Sequence, residues 1–392
     1  MKDVAFLAWR YLAYHRAKTA TLVGSIALIL FLPAGLNVLV DQSAEELTTR
    51  ADKTPLLIGA KGSPLELVLS SLYFESRTPA SIKFSDADRI SDSRFAEAIP
   101  LYIRFRSRDY PIVGTSLEYF DFRGLEIASG RMMAILGECV IGAEAARDLE
   151  IGPGDFVTSS PEGVFDLGGV YPLRMSVAGV LAPSNSPDDR AIFADLKTTW
   201  IIEGFGHGHQ DLASPEAASS VLSRKGNRIT ANAAVVQYNE ITPENIDRFH
   251  FHGDLSSYPL SSVIAVPNSE KTRALLLGRY QDDDESQLVD PRLVMDELLE
   301  TVLTVREYAI AAVAIAAFAT LLTTTLVFLL SIRLRRRELD TMMKIGASRN
   351  TIASVLISEV AAVLLFAGIL AGGLALAISR FGSAAIRALL LS

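Results

Sequence analysis

The sequence predicts a membrane protein with three transmembrane α-helices and one large α+β extracytoplasmic domain. Three observations predict it: three long apolar stretches, short basic segments beside them, and a long acidic stretch between the first and the second. The chain has 392 residues, 49% of them hydrophobic, and a mean hydropathy of +0.29. That is too apolar for an ordinary soluble enzyme and too polar for a transporter buried wholly in lipid.

The elements follow in order. Residues 1–20 carry Lys2, Arg10, Arg16 and Lys18 against Asp3 alone, with Phe6, Trp9 and Tyr11 interleaved. They suit an amphipathic helix lying in the cytoplasmic interface, aromatics at headgroup level. Residues 21–40 hold no charge and are long enough to cross ~30 Å of hydrocarbon. The run is longer than the ~7–15 residues of a secretory h-region, so it reads as an uncleaved anchor. Residues 308–332 form a second charge-free span, ending in Arg333, Arg335, Arg336 and Arg337, which anchor that end in the cytoplasm. Residues 333–351 are then a cytoplasmic loop, and 352–378 a third span running outward. Within it, Gly368 and Gly372 form a small-xxx-small pair where another helix could approach. Residues 379–392 are an extracytoplasmic tail or the start of a further span.

Residues 41–307 therefore lie outside. They hold 25 basic and 41 acidic residues, a balance that argues against nucleic acid as a partner. Strand-like runs recur at 110–114, 138–142, 155–159, 171–181, 191–194, 233–238 and 263–266. Turn signals separate them, including Gly152-Pro153-Gly154-Asp155 and Gly168-Gly169. Helical patterns occupy 143–149, 270–277 and 292–306, the last continuing into the second span. The expected division is a core of 41–200 plus 255–300 with an insertion near 200–255.

Segment 335–359, RRRELDTMMKIGASRNTIASVLISE, resembles the signature loop of the FtsX-type permease domain. Glu338, Met342, Met343, Ile345, Gly346, Ala347, Ser348, Arg349 and Glu359 carry the match. Independently, Gly346 can end a helix at positive φ and Ser348 can cap the next. The alternative reading is a plain turn held near anionic lipid by its arginines. Segment 137–157, GECVIGAEAARDLEIGPGDFV, looks like a MacB-type periplasmic core. So do GTSLEYF at 114–120 and VAGVL at 177–181, followed by Pro187-Asp188-Asp189. Segment 56–74, LLIGAKGSPLELVLSSLYF, is similar to a subgroup of exporter permeases.

The resemblance implies the permease subunit of an ABC transporter of the MacB/FtsX (type VII, mechanotransmission) kind. It implies no cofactor of its own, a cytoplasmic ATP-binding subunit contacting loop 333–351, and a homodimer or a heterodimer with a second permease. A periplasmic adaptor, a bacterial inner membrane and lipid complete the expected surroundings. The chain departs from that family in showing three spans where four are usual, so the fourth is either truncated or absent.

Enzymatic signals are missing. No G-x-x-x-x-G-K-[ST] loop is present to cradle nucleotide phosphates, so the ATPase is expected on another chain. No G-x-S-x-G elbow occurs. Cys139, the single cysteine, has no adjacent base and excludes an intramolecular disulfide. His207 and His209 (GHGH) and His250 and His252 (FHFH) are paired at i, i+2. Given convergence in space they could bind Zn²⁺ or Cu²⁺; otherwise they are two exposed polar loops. Asp282 to Glu285 reads as a solvated acidic loop. Glu359, one turn into its span, suggests snorkelling or a partner contact rather than a proton relay. Two rival functions stay open: an FtsX-like regulator of a cell-wall hydrolase, and a membrane-anchored metal-binding or sensing protein.

Overall fold

The computed structural model describes residues 2–74, 80–160, 172–209, 221–225, 228–231 and 238–390. Helix α1 (Lys2–Tyr14) ends at His15, and α2 (Arg16–Asp52) follows. The break falls earlier than an interfacial helix over 1–20 requires. In addition, α1 is not laid wholly against headgroups: Ala8 and Leu12 are buried, and Trp9 packs on Phe366 with ring centroids 6.0 Å apart. Part of the prelude thus packs on protein, while Phe6, Leu7 and much of Trp9 stay exposed. Pro33 lies inside α2 without ending it.

A mixed α/β unit, Arg50–Met295, comes next. In chain order it holds β1 (Leu56–Ala60), α3 (Pro64–Tyr73), β2 (Ile82–Lys83), α4 (Phe84–Ser93), β3 (Ala96–Ser107), β4 (Tyr110–Thr115), α5 (Glu118–Arg123) and β5 (Ile127–Gly130). Then follow β6 (Glu138–Ile141), α6 (Ala143–Leu149), β7 (Phe156–Thr158), β8 (Arg174–Leu181), β9 (Ile192–Asp195), α7 (Leu196–Glu203), β10 (Gly206–Gly208), β11 (Val221–Lys225) and β12 (Arg228–Ala231). The unit closes with β13 (Phe249–Phe251), β14 (Pro259–Leu260), β15 (Ser262–Pro267), α8 (Glu270–Tyr280) and β16 (Ser286–Val289). The main sheet runs β16-β1-β15-β3-β4-β9-β6-β8-β5, with β7 on β8. Among the described strands of this sheet, β4–β9 and β6–β8 pair in parallel and the rest antiparallel. The sheet draws strands from both the front and the back of the unit, while β10–β13 and β11–β12 form separate two-stranded pieces. The expected turn at Gly168-Gly169, the start of the run at Tyr171 and residues 233–237 lie outside the described residues.

Local chemistry explains these elements. Ser63 caps α3, accepting from the Glu66 amide at 3.2 Å, and Pro64 opens the helix. Gly59 leaves room for Leu67, whose Cδ1 would lie 2.2 Å from any Cβ at position 59. The GAKGSPLEL segment is therefore a strand, a turn and a helix closed against its own strand. The core joins Leu56, Ile58, Tyr102, Ile112, Cys139, Ile192 and Trp200. Trp200 is 2% exposed and donates its indole N–H to the Pro259 carbonyl at 2.9 Å. Truncating such a side chain costs about 3–5 kcal/mol. Within the acidic run Asp283 acts as a turn cap, accepting from the Ser286 amide at 2.8 Å.

The helical unit comprises Met1–Thr49 and Asp296–Ser392. Beyond α2 it contains α9 (Pro291–Leu334), α10 (Arg336–Lys344) and α11 (Arg349–Leu390). Among the described residues three helices are long and apolar enough to cross a membrane: Arg16–Asp41, Pro291–Leu334 and Arg349–Arg380. No loop divides apolar stretch from mixed unit at either passage, because α2 runs on to Asp52 and α9 starts at Pro291. The compact mixed unit, Arg50–Met295, lies within the expected extracytoplasmic stretch 41–307. Ala27 of α2 packs against Ala367 and Ala371 of α11. The small-residue contact is thus one position off the expected one. Gly368 and Gly372 have open space where a side chain would stand. A one-residue step turns the helix by about 100°, onto another face.

Candidate functional site

The loop 333–351 contains α10 and the turn into α11. Gly346 stands at φ +102, where an L side chain is strained, and the Ala347 amide returns to the Met342 carbonyl at 3.0 Å. Ser348 accepts from the Thr351 amide at 3.1 Å and starts α11. This tight turn leaves Ile345 80% and Met343 42% exposed, with Met342 half-buried beside them. A groove of about 840 Å³ adjoins them, lined by Arg333, Arg336, Asp340, Met343 and Arg349.

One of the four arginines departs from the anchoring role read for it. Arg333, Arg336 and Arg337 are exposed, whereas Arg335 turns inward. Its Nη1 donates to both carboxylate oxygens of Glu359, at 2.9 and 3.0 Å. Its guanidinium also stacks on Tyr11, 3.5 Å from the ring centroid, and its Nε lies 3.3 Å from Glu338. Tyr11 in turn shares a hydrogen bond with Ser331. Glu359 is 4% exposed, so it neither snorkels nor waits for an outside cation. Acids of α10 and α11 and an aromatic of α1 are gathered at Arg335, which stands between α9 and α10.

A second arginine cluster, which the sequence reading did not find, lies in the mixed unit. Arg50 donates to both oxygens of Asp188, at 2.6 and 2.9 Å, and its Nη2 also to the Tyr119 hydroxyl at 2.8 Å. The Tyr119 hydroxyl donates onward to Asp188 at 2.7 Å, and Ser186 Oγ donates from the other side at 2.9 Å. All of this is sealed: Arg50 is 7% and Asp188 1% exposed. Burial alone pushes the Asp188 carboxyl up, but the Arg50 charge and the hydrogen bonds of Arg50 and Tyr119 hold it below the usual range. Burial pushes the Tyr119 phenol up to about 12. Close by, Arg292 lies 3.4 Å from Asp52. The signal for Asp188 was present in Ser186-Pro187-Asp188, an N-cap followed by a proline; nothing local marks Arg50 as its partner.

The four histidines converge. Strands β10 and β13 are antiparallel, with His207 opposite His250, Gly206 opposite Phe251 and Gly208 opposite Phe249. Alternation therefore sends the glycine and phenylalanine positions to one face and the histidines to the other. Ring centroids of His207 lie 4.8 Å from those of His250 and His252 and 5.7 Å from that of His209. His250 and His252 are also 4.8 Å apart. Burial, then repulsion from His250, His252 and His209, holds the His207 imidazolium pKa below its ordinary value.

Residues 23–237 match the MacB-like periplasmic core domain family, and residues 310–388 match the FtsX-like permease C-terminal family. No curated protein matches. Among solved structures, the periplasmic region of MacB from Actinobacillus actinomycetemcomitans is similar at 12% identity. The match covers 66% of this chain and 97% of that one, with a TM-score of 0.34. The extracellular domain of the noncanonic ABC-type transporter YknZ from Gram-positive bacteria is similar at 12% identity, covering 60% and 98%, with a TM-score of 0.32.

Proposed function

The chain belongs to the MacB/FtsX family of ABC-transporter permeases, and from that premise we propose that a separate ATPase drives its extracytoplasmic domain through loop 333–351. It is an inner-membrane protein whose family is generally non-enzymatic. In this reading the N-terminus and the loop face the cytoplasm, ATP binds only to the partner subunit, and the permease works as a homodimer or with a second permease. Gly368 and Gly372, free of contacts within the described chain, are available to that second copy.

The observation that carries the reading is the exposed apolar knuckle of Met343 and Ile345, set on a tight glycine turn beside a groove of mixed charged and apolar lining. Isolated large apolar side chains on an otherwise charged loop favour a protein partner. Movement imposed there passes to α9 and α11 through Arg335 and Glu359. Since α9 reaches back to Pro291 without a break, its start moves as part of the same helix. The work done outside is export of a substrate or extrusion of a lipoprotein or peptide, with an adaptor where one is used.

The test is co-purification of the full-length chain with the ATP-binding protein encoded beside it. Wild type is expected to co-elute and to stimulate ATP hydrolysis. Met343→Asp/Ile345→Asp is expected to lose both, because the contact would strand two carboxylates in an apolar interface. Unchanged co-elution of the double variant contradicts the assignment of the loop.

A further inference from the structure

The histidine face of β10 and β13 has no part in that mechanism. We propose that His207, His209, His250 and His252 form a binding site for one divalent transition-metal cation of the Zn²⁺ class, on the extracytoplasmic side.

The backbone register is the first argument. Gly-His-Gly on one strand faces Phe-His-Phe on the other in antiparallel alignment. The glycines are needed because the phenylalanine rings lie on them: a Cβ at Gly206 would meet Phe251 at 2.8 Å, and one at Gly208 would meet Phe249 at 2.6 Å. That packing fixes which face is apolar and leaves the imidazoles together on the other. A strand of this composition is intrinsically weak, since each glycine gives up more backbone freedom on folding than alanine does. A short two-stranded sheet gains the most from a clip across it.

Distances and donor chemistry are the second argument. One ring nitrogen from each of His207, His209 and His250 lies within 4.8 Å of the others. A tetrahedral ion with nitrogen ligands at ~2.0–2.1 Å needs them roughly 3.3 Å apart, a closure that small χ rotations supply. The His252 ring, next to both His207 and His250, is positioned as the fourth ligand. His250 Nδ1 lies 3.3 Å from the Arg248 carbonyl oxygen. With the proton on Nδ1 donated there, Nε2 keeps its lone pair for the metal, as outer-sphere partners of ligand histidines do elsewhere. An all-imidazole donor set selects Zn²⁺, Cu²⁺ or Ni²⁺ and disfavours Mg²⁺ and Ca²⁺, which require oxygen ligands.

The experiment uses the full-length chain in detergent, purified without a polyhistidine tag and stripped of metal. It is dialysed against Zn²⁺ or Co²⁺, with Mg²⁺ as control, and bound metal is counted by mass spectrometry. Wild type is expected to retain one equivalent of Zn²⁺ and no Mg²⁺, and Co²⁺ to give the visible absorption of a tetrahedral nitrogen site. His207→Gln/His250→Gln and His207→Ala/His250→Ala should each bind Zn²⁺ at least tenfold more weakly. Their metal-free unfolding midpoints should match metal-free wild type, while Zn²⁺ raises the midpoint of wild type only. Retention by both variants equal to wild type overturns the proposal, as does wild type retaining no Zn²⁺. No ATPase enters the measurement, so its outcome is independent of the permease reading.

Discussion

Two arginine–carboxylate pairs organise this molecule, and they are built differently. In the mixed unit, Arg50 and Asp188 meet fork to fork, with two nitrogens on two oxygens and a tyrosine hydroxyl and a serine closing the remaining positions. In the helical unit, a single nitrogen of Arg335 serves both oxygens of Glu359, while the rest of the guanidinium stacks on Tyr11 and reaches Glu338. The first is buried and multiply bonded, with Arg50 Nε left without a partner among the described residues, and any displacement breaks several charge-assisted bonds at once. The second can trade one acid for another as helices shift. A fixed pair suits the point where α2 enters the domain; an adjustable one suits the loop proposed above to receive force.

The largest expected effect breaks the fixed pair. Asp188→Ala, by leaving Arg50 buried and unpaired, should destabilise the protein by about 3–5 kcal/mol in denaturant unfolding. Arg50→Leu/Asp188→Leu should recover most of that loss. The same pair has a pH signature. Asp188 is held below its ordinary value when folded, so its contribution is complete above the unfolded pKa of about 3.9. That contribution is lost as pH falls through the lower, folded value. Unfolding of Asp188→Asn should therefore show a smaller acid-dependent loss below about pH 4 than wild type, by the share that Asp188 contributes.

Smaller effects sharpen the contrast at the adjustable pair. Glu359→Gln should cost only about 1–2 kcal/mol, since Arg335 retains Glu338 and Tyr11. Its coupling to ATP hydrolysis should fall more than its stability, as read by hydrolysis rate beside unfolding midpoint. Smallest of all, Gly368→Ala should stay within about 0.5 kcal/mol of wild type, while Ala367→Leu, into the α2 contact, should cost about 1–3 kcal/mol.

The spans were legible because charge-free runs of such length have few other uses. So were α6 and β6, where Glu138 to Leu149 shows a short apolar run, a glycine and a helical pattern. The longest strand among the described residues, β3, was not: Pro100 interrupts its apolar run, and the alternation is confined to Ile103, Arg104, Phe105 and Arg106 at its far end. Pro100 is tolerated in the sheet, pairing with Val263 and accepting from Thr115 Oγ1 at 2.9 Å through its carbonyl. The histidine pairs were visible as pairs, but only the antiparallel register brings them together. Arg50 and Asp188 stand 138 residues apart, and no local pattern encodes such a partnership.

The central claim, that the ATPase seats on the turn at Ile345, is tested most directly by cross-linking. Cys139 is buried, with burial and the neighbouring Glu138 pushing its thiol up to about 12, so Ile345→Cys introduces the one reactive thiol. A short bifunctional reagent on membranes holding this variant and its ATPase should give a permease–ATPase adduct whose yield changes with ATP. An introduced thiol that labels freely with maleimide yet never joins the ATPase, while the two proteins still co-purify, contradicts it.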